Sequence, residues 1–289
     1  MSAARAERRA AWLFLAPGLG LIGVFFLLPV AAALLLSFTD FDIYALADPR
    51  NARVVGLANY ARLLGSPEFW GALRNTLYFV LVGGPLSILV ALGAALLLNA
   101  RAVRLRALFR TVYFAPFVTT LVAVALVWRY LYHPRYGLLN YALGLVGIGP
   151  IDWLADPRWA MPAIILLAVW KNFGYSMLVF LAGLQTVPEE LYEAARLDGA
   201  GAWQRFKRVV LPLSAPAIMG AALVVLALSW DEFQITFFTI GDRSTLPLVI
   251  WSRARRVIDP SVNAVGTLMI AGSLLIVLLT RGLIVESYS

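Results

Sequence analysis

Few residues of this 289-residue chain are of a type and in a place to do chemistry. Asp231 and Glu232 stand side by side inside the otherwise apolar run SWDEFQITFFT, and Lys171 sits beside Asn172 inside another apolar run. Ionisable groups in such runs are costly, and they usually face a cavity or a partner. Two adjacent carboxylates can accept hydrogen bonds from hydroxyl groups or hold a cation. Trp170, Tyr175, Trp230, Gln234 and Thr236 lie close by in sequence and add aromatic faces and further hydrogen-bonding groups. The bland alternative is an ion pair or an interfacial location. The single His133, in LYHPRYG, cannot build a metal site and reads as a loop or interface residue. With no cysteine, disulfides, thiol catalysis and Cys-based metal sites are excluded. No G-x-x-x-x-G-K-[ST] segment supplies a nucleotide site, and no nucleophile–base pair is present. No catalytic residue, no metal ligand and no bound cofactor are expected.

The elements that must carry these residues are set by composition. The chain is 61% hydrophobic and 14% charged, with a mean hydropathy of +0.81. A soluble domain of this length needs more charge to cover its surface. The apolar residues fall in unalternating blocks of about 20 or more, long enough for membrane helices and wrong for a membrane β-barrel. Six spans are expected, at about 12–37, 73–99, 108–132, 161–185, 214–240 and 263–283. The fold class is therefore all-α and polytopic, a single domain over residues 1–289. The basic N-terminus (Arg5, Arg8, Arg9) before the first block resembles a signal peptide. The block is too long for one, and it reads as an uncleaved span. Gly93, Ala94 and Ala95 suit close helix packing.

The net charge is +8, but the basic residues sit mostly beside apolar blocks, which suits lipid headgroups rather than nucleic acid. Lys and Arg are almost evenly divided between the two sides. The shorter side holds the cluster Arg101, Arg104, Arg106 and Arg110, so it is placed in the cytoplasm together with both termini. Tyr60, Phe69, Trp70, Trp153 and Trp159 in the opposite loops read as interfacial anchors.

Residues 186–213 are too polar to span. Thr186-Val187-Pro188-Glu189 fits a capping box, predicting a helix to about Leu197. Asp198-Gly199 is a helix stop. A second short helix, with Trp203 and Phe206 on one side, is expected to end at Pro212. The bracket presents Glu190, Glu193, Ala194, Ala195 and a glycine turn to whatever lies below. Its acidic first half argues against a helix lying on anionic lipid.

Glu193-Ala194-Ala195, three residues, Gly199, nine residues, then Val209-Val210-Leu211-Pro212 resembles the EAA loop of permease subunits of binding-protein-dependent ABC importers. Val209 stands where that family usually has Ile. The segments LFLAPGL, VGLANY, RNTLYF, LFRTVYFAP, YGLLN, WLADP and AGLQTVP resemble carbohydrate-uptake permeases of the maltose and glycerol-3-phosphate type. SWDEFQITFFT, TLP and DPSVNA look more like spermidine/putrescine permeases.

The resemblance implies a cytoplasmic coupling helix within the loop, with Glu190, Glu193, Ala194, Ala195, Asp198, Gly199, Val209, Leu211 and Pro212 as its docking residues. It implies two ATPase subunits that carry ATP and Mg, a second permease that is a distinct paralogue, and an extracytoplasmic solute-binding protein, all at the cell's inner membrane. The substrate is expected to be a sugar, with a polyamine as the alternative. Trp170, Lys171, Asn172, Tyr175, Trp230, Asp231, Glu232, Gln234 and Thr236 are the candidate pathway. An ion-coupled secondary transporter would need no such loop and would show discontinuous helices with ion sites. A membrane enzyme would show clustered His, Asp or Arg at a membrane face.

Overall fold

A computed structural model of the chain describes residues 2–100, 103–241, 243–256 and 259–286. Arg101 of the expected basic cluster lies outside them. Among the described residues the secondary structure is helical, apart from one isolated bridge between Thr39 and Val54. In chain order the α-helices are Ser2–Ile22 (α1), Leu28–Leu36 (α2), Ile43–Ala47 (α3), Ala58–Leu64 (α4), Pro67–Tyr78 (α5), Gly84–Asn99 (α6), Arg106–Val118 (α7) and Leu121–Leu131 (α8). Then follow Leu138–Leu145 (α9), Ala160–Leu184 (α10), Glu189–Leu197 (α11), Ala202–Arg205 (α12), Leu211–Trp230 (α13), Gln234–Thr239 (α14), Leu246–Arg256 (α15) and Pro260–Glu286 (α16).

Among the described residues four helical stretches, Glu7–Leu36, Pro67–Asn99, Ala160–Leu184 and Pro260–Leu278, are long and apolar enough to cross a membrane. Two bent pairs bring the crossings to six when each pair is one span. The first pair is α7 and α8, bent by 96°. The second runs Trp203–Pro216 and Ile218–Trp230, bent by 60° where Pro216 withdraws a backbone donor. Counted that way the crossings equal the six expected, and two of the expected helices differ in the structure. The third is broken rather than continuous, because Thr119 and Thr120 turn to extended backbone after Pro116. The fifth ends at Trp230 rather than 240, and Asp231 and Glu232 occupy the gap before α14.

Three π turns follow one rule. Gly23–Leu27, Phe79–Gly83 and Phe206–Val210 each end two residues before a proline: Pro29, Pro85 and Pro212. A proline ring collides with the carbonyl four residues earlier. That residue is Phe25, Leu81 or Arg208, the middle of each π turn. Widening the turn moves the carbonyl aside, so the helix continues. The expected stop at Pro212 is therefore overturned: Pro212 lies in the first turn of α13, and Leu211 N–H reaches back five residues to Phe206.

The chain gathers into two compact units, Met1–Phe69 with Val249–Gly272, and Trp70–Leu248 with Ser273–Ser289. In the first, Asn59 of VGLANY is buried and donates to the carbonyls of Ser37 (2.9 Å) and Thr39 (2.7 Å). Ser37 and Tyr60 share a hydroxyl hydrogen bond of 2.7 Å. Arg253 pairs with Glu68 at 2.7 Å and donates to Ser261 at 2.8 Å.

The second unit is built around α10, which packs against α6, α7, α13 and α14. Ala91 and Ala95 of α6 are fully buried beside Met177 and Phe180, as small residues at a close helix contact should be. Gly93 is not part of that contact, since a Cβ there would meet nothing within 4 Å.

Four of the sequence signatures prove to be ties in this unit. Asn75 Nδ2 donates to Ser244 O (2.8 Å) and Thr76 Oγ1 accepts from Leu246 N (2.9 Å), so RNTLYF holds TLP. Asn140 Oδ1 accepts from Trp153 Nε1 (2.9 Å) and Ile151 N (3.1 Å), so YGLLN holds the loop of WLADP.

Candidate functional site

Two places in the second unit bring candidate residues together. The first forms where two spans are interrupted. At its C-terminus a helix leaves carbonyls without partners, and a cation is favourable there. The end of α7 meets this need with a side chain from α10. Lys171 Nζ lies 3.1, 3.3 and 3.2 Å from the carbonyl oxygens of Pro116, Phe117 and Thr119. The lysine is 7% exposed, so burial is compensated by three charge-assisted bonds. One turn further along α10, Gly174 lets α7 approach: a Cβ there would collide with the carbonyl of Tyr113. In ion-coupled carriers such broken-helix carbonyls hold a coupling ion. Here an ammonium group takes that position.

Beside this junction the turn between α13 and α14 is fixed by its own residues. Glu232 Oε1 accepts from Ile235 N at 2.7 Å, and Thr236 Oγ1 donates to the carbonyls of Glu232 and Phe233. The result is a cavity of about 700 Å³ lined by Phe117, Asn172, Tyr175, Val224, Leu228, Asp231, Glu232, Phe233 and Gln234. That volume lies within the usual range of small-molecule sites, about 300–1,000 Å³. Phe117 and Tyr175 stack, with centroids 4.8 Å apart and planes 16° from parallel. Aromatic faces beside amides, a phenol and carboxylates are the chemistry that grips a polyhydroxylated ring.

Of the nine candidate pathway residues, Asn172, Tyr175, Asp231, Glu232 and Gln234 meet in this wall. The other four do not. Lys171 plugs α7, Trp170 packs on Trp128 with centroids 5.3 Å apart, and Thr236 and Trp230 are buried. Sequence reasoning missed Phe117, because its place in the wall depends on a chain break that periodicity does not register.

The second place is the polar loop. Helix α11 carries Glu189 and Glu190 in its first turn and Arg196 in its last, complementing the helix dipole. The N-cap of α11 is Pro188 rather than the expected Thr186, and Thr186 Oγ1 donates to Gly183 O at the end of α10. A half capping box appears further on, where Gln204 Oε1 accepts from Gly201 N at 3.0 Å.

The helix stop is as expected, and its geometry explains the spacing of the loop. Gly199 has φ +75°, Ala200 N bonds Ala195 O at 2.9 Å, and Gly199 N bonds Arg196 O at 3.0 Å. This is a Schellman motif, which requires the glycine four residues after the carbonyl it closes. Glu190, Glu193, Ala194, Asp198 and Gly199 are exposed and Ala195 is half-buried. Further on, Val209 is half-buried, Leu211 is 37% exposed and Pro212 is exposed. Leu197 and Trp203 are 89% and 70% exposed, an apolar display flanking the turn. Behind α11, burial and then the Glu189 carboxylate push the Tyr192 phenol up, keeping it protonated.

The sequence matches a family model described as the binding-protein-dependent transport system inner membrane component over residues 96–284. A lactose transport system permease protein, LacF, of Rhizobium radiobacter is 36% identical, over 83% of this chain and 80% of its own length. A trehalose/maltose transport system permease protein, MalF, of Thermococcus litoralis is 34% identical, over 81% and 78%. Among solved structures, a bacterial ABC transporter involved in the import of the acidic polysaccharide alginate superposes with a TM-score of 0.75 at 24% identity, covering 99% of each chain.

Proposed function

Because this chain belongs to the family of inner membrane components of binding-protein-dependent transport systems, we propose that it is the permease through which an ABC importer passes a sugar or sugar derivative. It is a transport subunit, not an enzyme. The sugar assignment is supported by the names of its relatives, permeases for lactose and for trehalose/maltose, and by the stacked aromatic pair and hydrogen-bonding groups of the 700 Å³ cavity. In this reading residues 1–289 act as one transmembrane domain in the cell's inner membrane. It works with a second permease, with two ATPase subunits that supply ATP and Mg, and with an external solute-binding protein.

The observation that carries the mechanism is the exposed helix–turn at Glu189–Gly199. Its small residues allow close approach, and its Schellman turn gives it a fixed shape. The reading places this loop and both termini in the cytoplasm. An even number of crossings and the basic residues Arg104, Arg106 and Arg110 near the same side support that orientation. Closure of the ATPase pair would push α11. The push passes through α12 and the following π turn into α13, whose far end carries Asp231 and Glu232. Motion at the loop thereby reaches the cavity without any covalent step.

The test is uptake of radiolabelled sugar into proteoliposomes holding the whole transporter and its binding protein. Deleting Glu193–Gly199 is expected to abolish ATP-driven uptake and ATPase association. Intact uptake after that deletion would refute the mechanism.

A further inference from the structure

We infer that the cavity between α7, α10 and the α13–α14 turn admits uncharged saccharides and turns away those carrying carboxylate or sulfonate groups. The inference rests on the reading of that cavity as a saccharide station, and it adds which saccharides. Besides the Tyr175 phenol, the ionisable groups in the wall are Asp231 and Glu232, both acidic. Among the described residues neither is ion-paired. Glu232 cannot swing away without giving up the hydrogen bond that starts α14. The nearest candidate to balance them is Lys171. Its ammonium is committed to three carbonyls at the end of α7, and it is not part of the wall. The remaining polar contacts, from Asn172, Tyr175 and Gln234, are neutral groups matched to hydroxyls.

An anionic sugar entering this space would therefore meet like charge, with no cation among the described lining residues to receive it. Specificity by repulsion of this kind needs no clash of shape. A neutral sugar meets the same carboxylates as strong hydrogen-bond acceptors.

The test compares galactobiose with digalacturonate, one skeleton carrying either hydroxymethyl or carboxylate groups. Binding is titrated by saturation-transfer NMR on the assembled transporter in nanodiscs, with the solute-binding protein omitted so that its own selectivity does not intrude. Galactobiose is expected to bind at least about tenfold more tightly than digalacturonate, a gap of about 1.4 kcal/mol. Asp231→Asn with Glu232→Gln is expected to close most of that gap by improving digalacturonate. Asp231→Asn alone, which leaves the α14 cap intact, is expected to close part of it. Equal binding of the two sugars by the unaltered protein would overturn the inference alone, as would a gap untouched by either variant. If neither sugar binds, or spermidine binds more tightly than both, the saccharide reading falls and takes the inference with it.

Discussion

Lys171 illustrates how one residue can be conspicuous in sequence and still have its role decided elsewhere. A lysine in an apolar block suggests a pathway, an ion pair or an interface. It is a cap, because Pro116 and the threonines after it end α7 beside α10 and leave carbonyls within its reach. Lys171→Met should leave the end of α7 without its charged donor, at about 1–3 kcal/mol. The thermal midpoint of the assembled transporter is expected to fall, and Lys171→Arg is expected to recover part of the loss. Gly174 gives a paired prediction. Gly174→Ala drives a methyl group into the Tyr113 carbonyl and should cost about 1–3 kcal/mol by overpacking. Gly93→Ala, facing open space on α6, should be neutral or slightly stabilising, since alanine favours helix by up to about 1 kcal/mol. Equal losses from the two alanines would show that α7 does not seat on Gly174.

At the scale of elements, the loop from α11 to α13 was the most legible part of the chain and yet partly misread. The glycine stop was readable because a positive φ is a local need with few residues able to meet it. Gly199→Ala should cost about 1 kcal/mol in the turn. It should also uncouple ATP hydrolysis from uptake before it affects expression, measured as sugar transported per ATP consumed. The later start of α11 has a different origin. Thr186 Oγ1 donates to Gly183 O at the end of α10, and α11 begins only after Pro188. Pro212 was misread as a stop because a proline usually ends or kinks a helix, whereas a π turn before it absorbs the clash. The break in the third span was illegible for a related reason. Hydropathy averages over a window, and Thr119-Thr120 barely lowers it.

At the scale of the whole molecule, the absence of cysteine makes orientation directly measurable. Leu145→Cys and Leu197→Cys place single thiols on positions 73% and 89% exposed. A membrane-impermeant maleimide applied to intact spheroplasts is expected to label the first and to reach the second only after permeabilisation. The reverse pattern would invert the proposed topology. Candidate crossings were countable from composition, since about 20 apolar residues is a physical length. The cavity was not, because it needs residues 117, 172, 175 and 231–234 in one place, and helix rotation is invisible to hydropathy. The three proline-linked π turns also bear on how this chain can change over generations. Each is an inserted residue that the helix has already accommodated, so the faces on either side remain in phase. Removing Lys207 together with Pro212→Ala should restore an ordinary helix with the loop and α13 still aligned, whereas removing any residue from α10 would rotate every buried side chain beyond it by about 100°. Length variation in this lineage should therefore collect at Gly23–Leu27, Phe79–Gly83 and Phe206–Val210, inside helices rather than only between them.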